Sequence, residues 1–154
     1  MSWFPCCCNG SGGGGGYEGP TIACAGYDAI AAQWEVVIAG VTNGTCTNCT
    51  ISNGTWILSD TLSGTPSLCA FAISPGFSSP MCGFFGGGTA LALTIEVGGF
   101  AILQTTGVST SNVPLRWRID YASFDPLGPN VLTDFHAGTE CQTQPSTVTI
   151  TPYP

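Results

Sequence analysis

Charge is the scarcest ingredient of this chain. Of its 154 residues only 7% are charged, against roughly 25% in an ordinary soluble domain. Lysine is absent altogether, the basic side chains are Arg116 and Arg118 alone, and His136 is the single histidine. A long solvated helix normally carries Lys, Glu and Arg along its outer face, so helices are expected to be few and short. Nucleic-acid phosphates are held by basic side chains, and a net charge of −7 argues against such a partner. The same deficit disfavours docking on anionic lipid. The first sixteen residues, MSWFPCCCNGSGGGGG, have neither a basic nor a long apolar stretch, and so do not read as a secretory signal.

What the chain has in excess is glycine, proline and cysteine. Gly and Pro number 22 and 11, so about a fifth of the chain punctuates the backbone. Nine cysteines exceed any packing need, leaving disulfides in an oxidising setting or thiolates around a metal. Without an export signal, a cysteine-rich surface protein fits one assembled inside a cell and released by lysis, as virion proteins are. A mature chain whose signal has been removed is the alternative.

Residues 1–20 read as an arm. Cys6, Cys7 and Cys8 are followed by Gly12, Gly13, Gly14, Gly15 and Gly16, a run with no side chains to pack, suited to a tether that docks on other subunits. Residues 21–154 read as one cysteine-stapled β domain, long enough for a real core. Tyr27 to Ala32 (YDAIAA) suggests a single short helical turn.

The organising stretch is Gln33 to Leu58. Alternation puts Trp34, Val36 and Ile38 on one strand face, and Thr55 to Leu58 forms a second strand. Asn43-Gly44 and Asn53-Gly54 supply turn residues around Cys46-x-x-Cys49. In a third strand, Ser67 to Ile73, the face carrying Cys69, Phe71 and Ile73 is the better core candidate. Met81 to Leu103 is apolar enough to be weighed as a membrane span, but it holds Glu96 and six glycines. A Gly98-Gly99 hairpin joining Leu91, Leu93, Ile95 and Val97 to Phe100 and Ile102 explains it better. No membrane insertion is expected. Pro114 to Tyr121 alternates most cleanly. Leu115, Trp117, Ile119 and Tyr121 face one way, while Arg116 and Arg118 lie on an opposite face suited to solvent or an interface. Residues 122–141 read as loop, and Thr147 to Thr151 as a closing strand with Val148 and Ile150 inward. Seven or eight short strands separated by turns predict an all-β fold, a small antiparallel sandwich or barrel.

Several residue types invite chemistry. Cys46 and Cys49 could be half of a zinc site completed from Cys6, Cys7, Cys8 or Cys24, but no second C-x-x-C follows and adjacent cysteines fit one tetrahedral ion poorly. A redox C-x-x-C belongs at a helix N-terminus rather than between Asn-Gly turns. Disulfides are therefore expected at Cys24, Cys46, Cys49, Cys69, Cys82 and Cys141, with connectivity open. Nine is odd, and the spare thiol is assigned to the arm, where it can pair between chains. His136 near Asp134 lacks a G-x-S-x-G nucleophile elbow around it and reads as a loop residue. Asp120, Asp125 and Asp134 could contribute to a Ca²⁺ site but follow no known loop spacing. The sequons at Asn9, Asn43, Asn48 and Asn53 read as turns.

The order Gly40, Cys46-x-x-Cys49, Asn53-Gly54-Thr55 before an aromatic strand, then Cys69, Cys82 and Cys141 before Pro145-Ser-Thr-Val-Thr-Ile, resembles a pattern known elsewhere. It is similar to an uncharacterised cysteine-rich β-domain of tailed-phage virion proteins and bacterial surface proteins. The match covers residues 33–60 and 141–151, and the arm lies outside it. The resemblance implies a β-sandwich at a particle or cell surface and implies no reaction. The expectation is thus a protein of the virion surface: a capsid decoration protein, head spike, or tail fibre or tip component, with no enzymatic activity and no cofactor. Its expected partners are other virion proteins, sister copies in a homo-oligomer and a host surface receptor. An extracellular or cell-surface adhesion module of a bacterium is the alternative.

Overall fold

The computed structural model describes residues 16–38, 54–62, 66–73, 90–106, 116–135 and 147–154. Within them lie ten strands: β1 (Thr21–Cys24), β2 (Tyr27–Ala31), β3 (Gln33–Ile38), β4 (Gly54–Asp60) and β5 (Leu68–Ile73), followed by β6 (Ala90–Glu96), β7 (Phe100–Thr106), β8 (Arg116–Asp120), β9 (Asn130–Asp134) and β10 (Thr147–Pro152). The helix among the described residues is one 3₁₀ turn, Tyr121–Ser123.

Strands β3 to β10 form a closed antiparallel barrel in which each strand pairs with its neighbours in sequence, and β10 closes on β3. The all-β expectation holds, with barrel rather than sandwich as the architecture. Closure removes the unpaired strand edges that would otherwise template aggregation.

Period-two alternation sends every second side chain inward. Trp34, Val36 and Ile38 of β3 are buried as expected, facing Trp56 and Leu58 of β4, Cys69 and Phe71 of β5 and Trp117 of β8. An eight-stranded barrel is just wide enough for its own side chains to fill. Three tryptophans no more than 1% exposed fill much of this one.

The expected hairpin around Gly98 is present, and its register fixes the faces. Ile95 pairs with Ala101 and Leu93 with Leu103, so Ala101 and Leu103 point inward. Phe100 and Ile102 consequently lie on the outer face, and Val97 is half exposed in the turn. Gly98 has φ +75°, a conformation glycine adopts without cost.

Two segments differ from the sequence reading. The helical turn expected over residues 27–32 is instead strand β2, paired with β1 through Thr21–Ala31 and Ile22–Ile30. Ala25 and Gly26, with φ of 51° and 80°, make the two-residue turn between them. Isolated propensity cannot favour a single helical turn over a cross-strand partner and a buried face, and Ile30 and Ala31 are wholly buried here. Residues 122–141, read as loop, contain β9. Its inward side chains are Asn130 and Leu132 while Val131 is exposed, which breaks the apolar alternation by which a strand is recognised.

The β1–β2 hairpin caps one end of the barrel. Cys24 at the end of β1 is disulfide-bonded to Cys69 of β5. The backbone N–H of Ala31 donates to Pro126 at 3.0 Å, and that of Asp60 donates to Ala32 at 3.0 Å. The Tyr121 hydroxyl donates to the Ala25 carbonyl at 2.6 Å, and the Trp34 indole N–H to the Ala31 carbonyl at 3.1 Å. Residues preceding β1 also fold back on the barrel: the Tyr17 hydroxyl donates to Pro20 at 2.9 Å, and its ring packs against the core.

Candidate functional site

With the barrel interior occupied by side chains, the recess of interest is on its outside, along the β8–β9 seam. Most neighbouring strands share ladders of several residues, but β8 and β9 pair only at Trp117–Asp134 and Arg118–Thr133. Beyond Arg118 the two strands part, because the chain leaves β8 through the 3₁₀ turn and returns through a tightly bonded bend. In that bend the Asn130 side chain accepts from the Asp125 N–H at 2.7 Å and donates to the carbonyls of Asp125 and Gly128 at 2.9 and 3.0 Å. The Asp125 carboxylate in turn accepts from the Leu127 N–H at 3.0 Å. Asn130 is the buried polar residue that this bend requires, and its three hydrogen bonds satisfy it.

The parted strands leave an open cleft of about 390 Å³, lined among others by Phe100, Arg118, Asp120, Thr133, Asp134 and Phe135. Arg118 is its centrepiece. The guanidinium carbon lies 4.3 Å from the centroid of the Phe100 ring, contributed by β7, and 4.4 Å from that of Phe135, which follows β9. Arg116 shares the Phe135 ring at 5.0 Å. The two arginines and two phenylalanines thus run across three strands as a connected series of cation–π contacts, each worth about 0.5–1 kcal/mol at an exposed site. The chain's entire complement of Lys and Arg is gathered on this one sheet face. The Arg118 guanidinium has no hydrogen bond or ion pair to another described residue, and two rings hold its position.

Arg116 and Arg118 therefore share the outward face that alternation assigned them, with Trp117 buried between them. Phe100 and Phe135 were invisible as their companions, because cross-strand register brings the rings there. Of the three aspartates considered for Ca²⁺, Asp120 and Asp134 border the cleft while Asp125 serves the bend. Among the described residues no three His, Cys, Asp or Glu side chains come together as a metal site.

Of the cysteines, Cys24 and Cys69 are a disulfide pair. Cys46, Cys49, Cys82, Cys141, the triplet Cys6, Cys7 and Cys8, the glycines Gly12 to Gly15, His136 and the four sequon asparagines lie outside the described residues.

At the capped end a second polar cluster has a structural character. Tyr27 and Tyr121 rings lie 5.2 Å apart, with Phe124 6.1 Å from Tyr27 and 5.4 Å from Trp34. Burial, then the neighbouring Tyr121 and the Asp125 charge, push the Tyr27 phenol up to about 12. Burial likewise raises Tyr17. These phenols are kept protonated, suited to donating hydrogen bonds rather than to acting as bases.

Compared with protein-family models, with curated proteins and with solved structures, the chain finds no match in any of the three.

Proposed function

We propose that this protein is a non-enzymatic surface module of a virion of the tailed-phage kind, a decoration protein, head spike, or tail fibre or tip component. The observation that carries the proposal is the filled barrel. With Trp34, Trp56 and Trp117 buried at its centre, whatever the module meets it meets on its outer face. Two further features agree with service outside a cell. The Cys24–Cys69 bond belongs to an oxidising environment, and the closed barrel leaves none of its own eight strands as an edge for unwanted pairing among crowded copies. The module would stabilise its particle or contact a host surface.

The Arg118 cleft favours a second reading, a bacterial cell-surface or secreted binding module, because a bare stabilising protein has no need of a polar recess. Quantitative mass spectrometry separates the two. Particles banded from a lysate of the producing cells should contain the chain at a copy number fitting a symmetric shell or tail position. Recovery only in cell-envelope or medium fractions would overturn the virion assignment and leave the adhesion module.

A further inference from the structure

The cleft's chemistry is specific enough to name a ligand class. We propose that it binds an acidic saccharide unit, a sugar ring bearing one carboxylate, with Arg118 as the carboxylate's partner. The inference deepens the binding half of the functional reading and does not depend on where the protein is displayed.

In a chain of net charge −7, Arg118 is exposed, held between the Phe100 and Phe135 rings at 4.3 and 4.4 Å, and without an ion pair among the described residues. A planar guanidinium fork fixed by aromatic rings is organised in advance for bidentate pairing with a carboxylate. Asp120 and Asp134 stand beside it on the lining. The two carboxylates oppose every anion, and they oppose multiply charged phosphate, sulfate and nucleic-acid backbones more strongly than a single carboxylate that pairs with the guanidinium. The Asp120 carboxylate can accept hydrogen bonds from sugar hydroxyls, and the Ser123 and Thr133 side chains can both donate and accept. Phe100 and Phe135, both on the cleft lining, give the apolar side of a sugar a surface beside the guanidinium. A volume of about 390 Å³ is in the range of small-ligand sites and leaves room for a monosaccharide unit within a longer glycan. A polyanion brings several charges against the aspartates, and a neutral sugar offers Arg118 no carboxylate. A singly charged polyol satisfies both.

The test is a two-dimensional amide NMR titration of the purified full chain with methyl glucuronoside, using methyl glucoside and inorganic phosphate as controls. The uronoside should shift the amides of Arg118, Ser123 and Thr133, with affinity that weakens as salt is raised. The neutral glucoside and phosphate should bind on the order of tenfold more weakly or not at all, and Arg118→Gln should bring the uronoside down to the level of the glucoside. Thr133→Val provides a second variant at the same lining, expected to weaken the uronoside several-fold. Equal binding of uronoside and glucoside, stronger binding of phosphate, shifts mapping elsewhere, or no shifts at all would overturn the proposal. None of these outcomes bears on particle copy number, so the inference and the virion assignment can fail separately.

Discussion

Removing the Cys24–Cys69 disulfide should cost this fold a large part of its stability. The bond spans 45 residues of sequence, and the chain-entropy relation for a loop of that size gives about 4 kcal/mol. For a domain of this length each kcal/mol corresponds to about 2–4 °C, so the double variant Cys24→Ala/Cys69→Ala should melt about 8–16 °C lower. Alanine is the appropriate replacement because both sulfurs are buried, Cys69 completely. Chemical reduction would act on every disulfide in the chain, whereas the double variant isolates this one. Calorimetry gives the global loss, and amide hydrogen exchange locates it. Once the covalent tie is gone, the β1–β2 hairpin is held by its buried apolar side chains and by hydrogen bonds such as those at Ala31, Ala32 and Ala25. Its amides should then exchange through an opening of lower free energy than those of β3 and β4. A loss below about 1 kcal/mol, or hairpin protection equal to that of the barrel, would refute the view that the disulfide clamps the cap.

Adjacent positions on β8 should behave oppositely. Trp117→Ala should destabilise by about 3–5 kcal/mol, while Arg118→Gln, which loses only exposed cation–π contacts, should cost no more than about 1–2 kcal/mol in urea unfolding. Asn130→Ala strips three hydrogen bonds from the bend at the cleft and should cost about 1–3 kcal/mol; a neutral result would mean the bend is held by other contacts. Tyr27 should titrate near pH 12 by phenolate absorbance in the folded protein. Its folded pKa lies above the ordinary value of 10.0, so this contribution to stability is complete below pH 10 and is lost as pH rises toward 12. A phenolate signal from Tyr27 at pH 10 would contradict its burial.

Much of the barrel was legible because its strands advertise themselves. Trp34–Val36–Ile38, Cys69–Phe71, Leu91–Leu93–Ile95 and Val148–Ile150 alternate with residues that are polar, small or, at Val37, exposed, and all of them point inward. Where alternation failed, so did recognition. β9 places Asn130 inward and Val131 outward for the sake of the bend, and β2 buries the adjacent Ile30 and Ala31 instead of alternating. Barrel closure rests on the β10–β3 pairing of residues more than a hundred positions apart, which no local pattern encodes. The candidate site was half legible. The outward arginines follow from period two, but the cleft exists because the β8–β9 ladder stops after two pairs and Phe135 joins from a segment read as loop.

The central proposal, display on the outside of a particle, is tested most directly by immunogold electron microscopy of intact virions with antibody raised against the folded domain. Regular labelling at fixed positions on the shell or tail of undisrupted particles is the expected result. Particles that stay unlabelled while the antibody decorates the producing cell's envelope would contradict it.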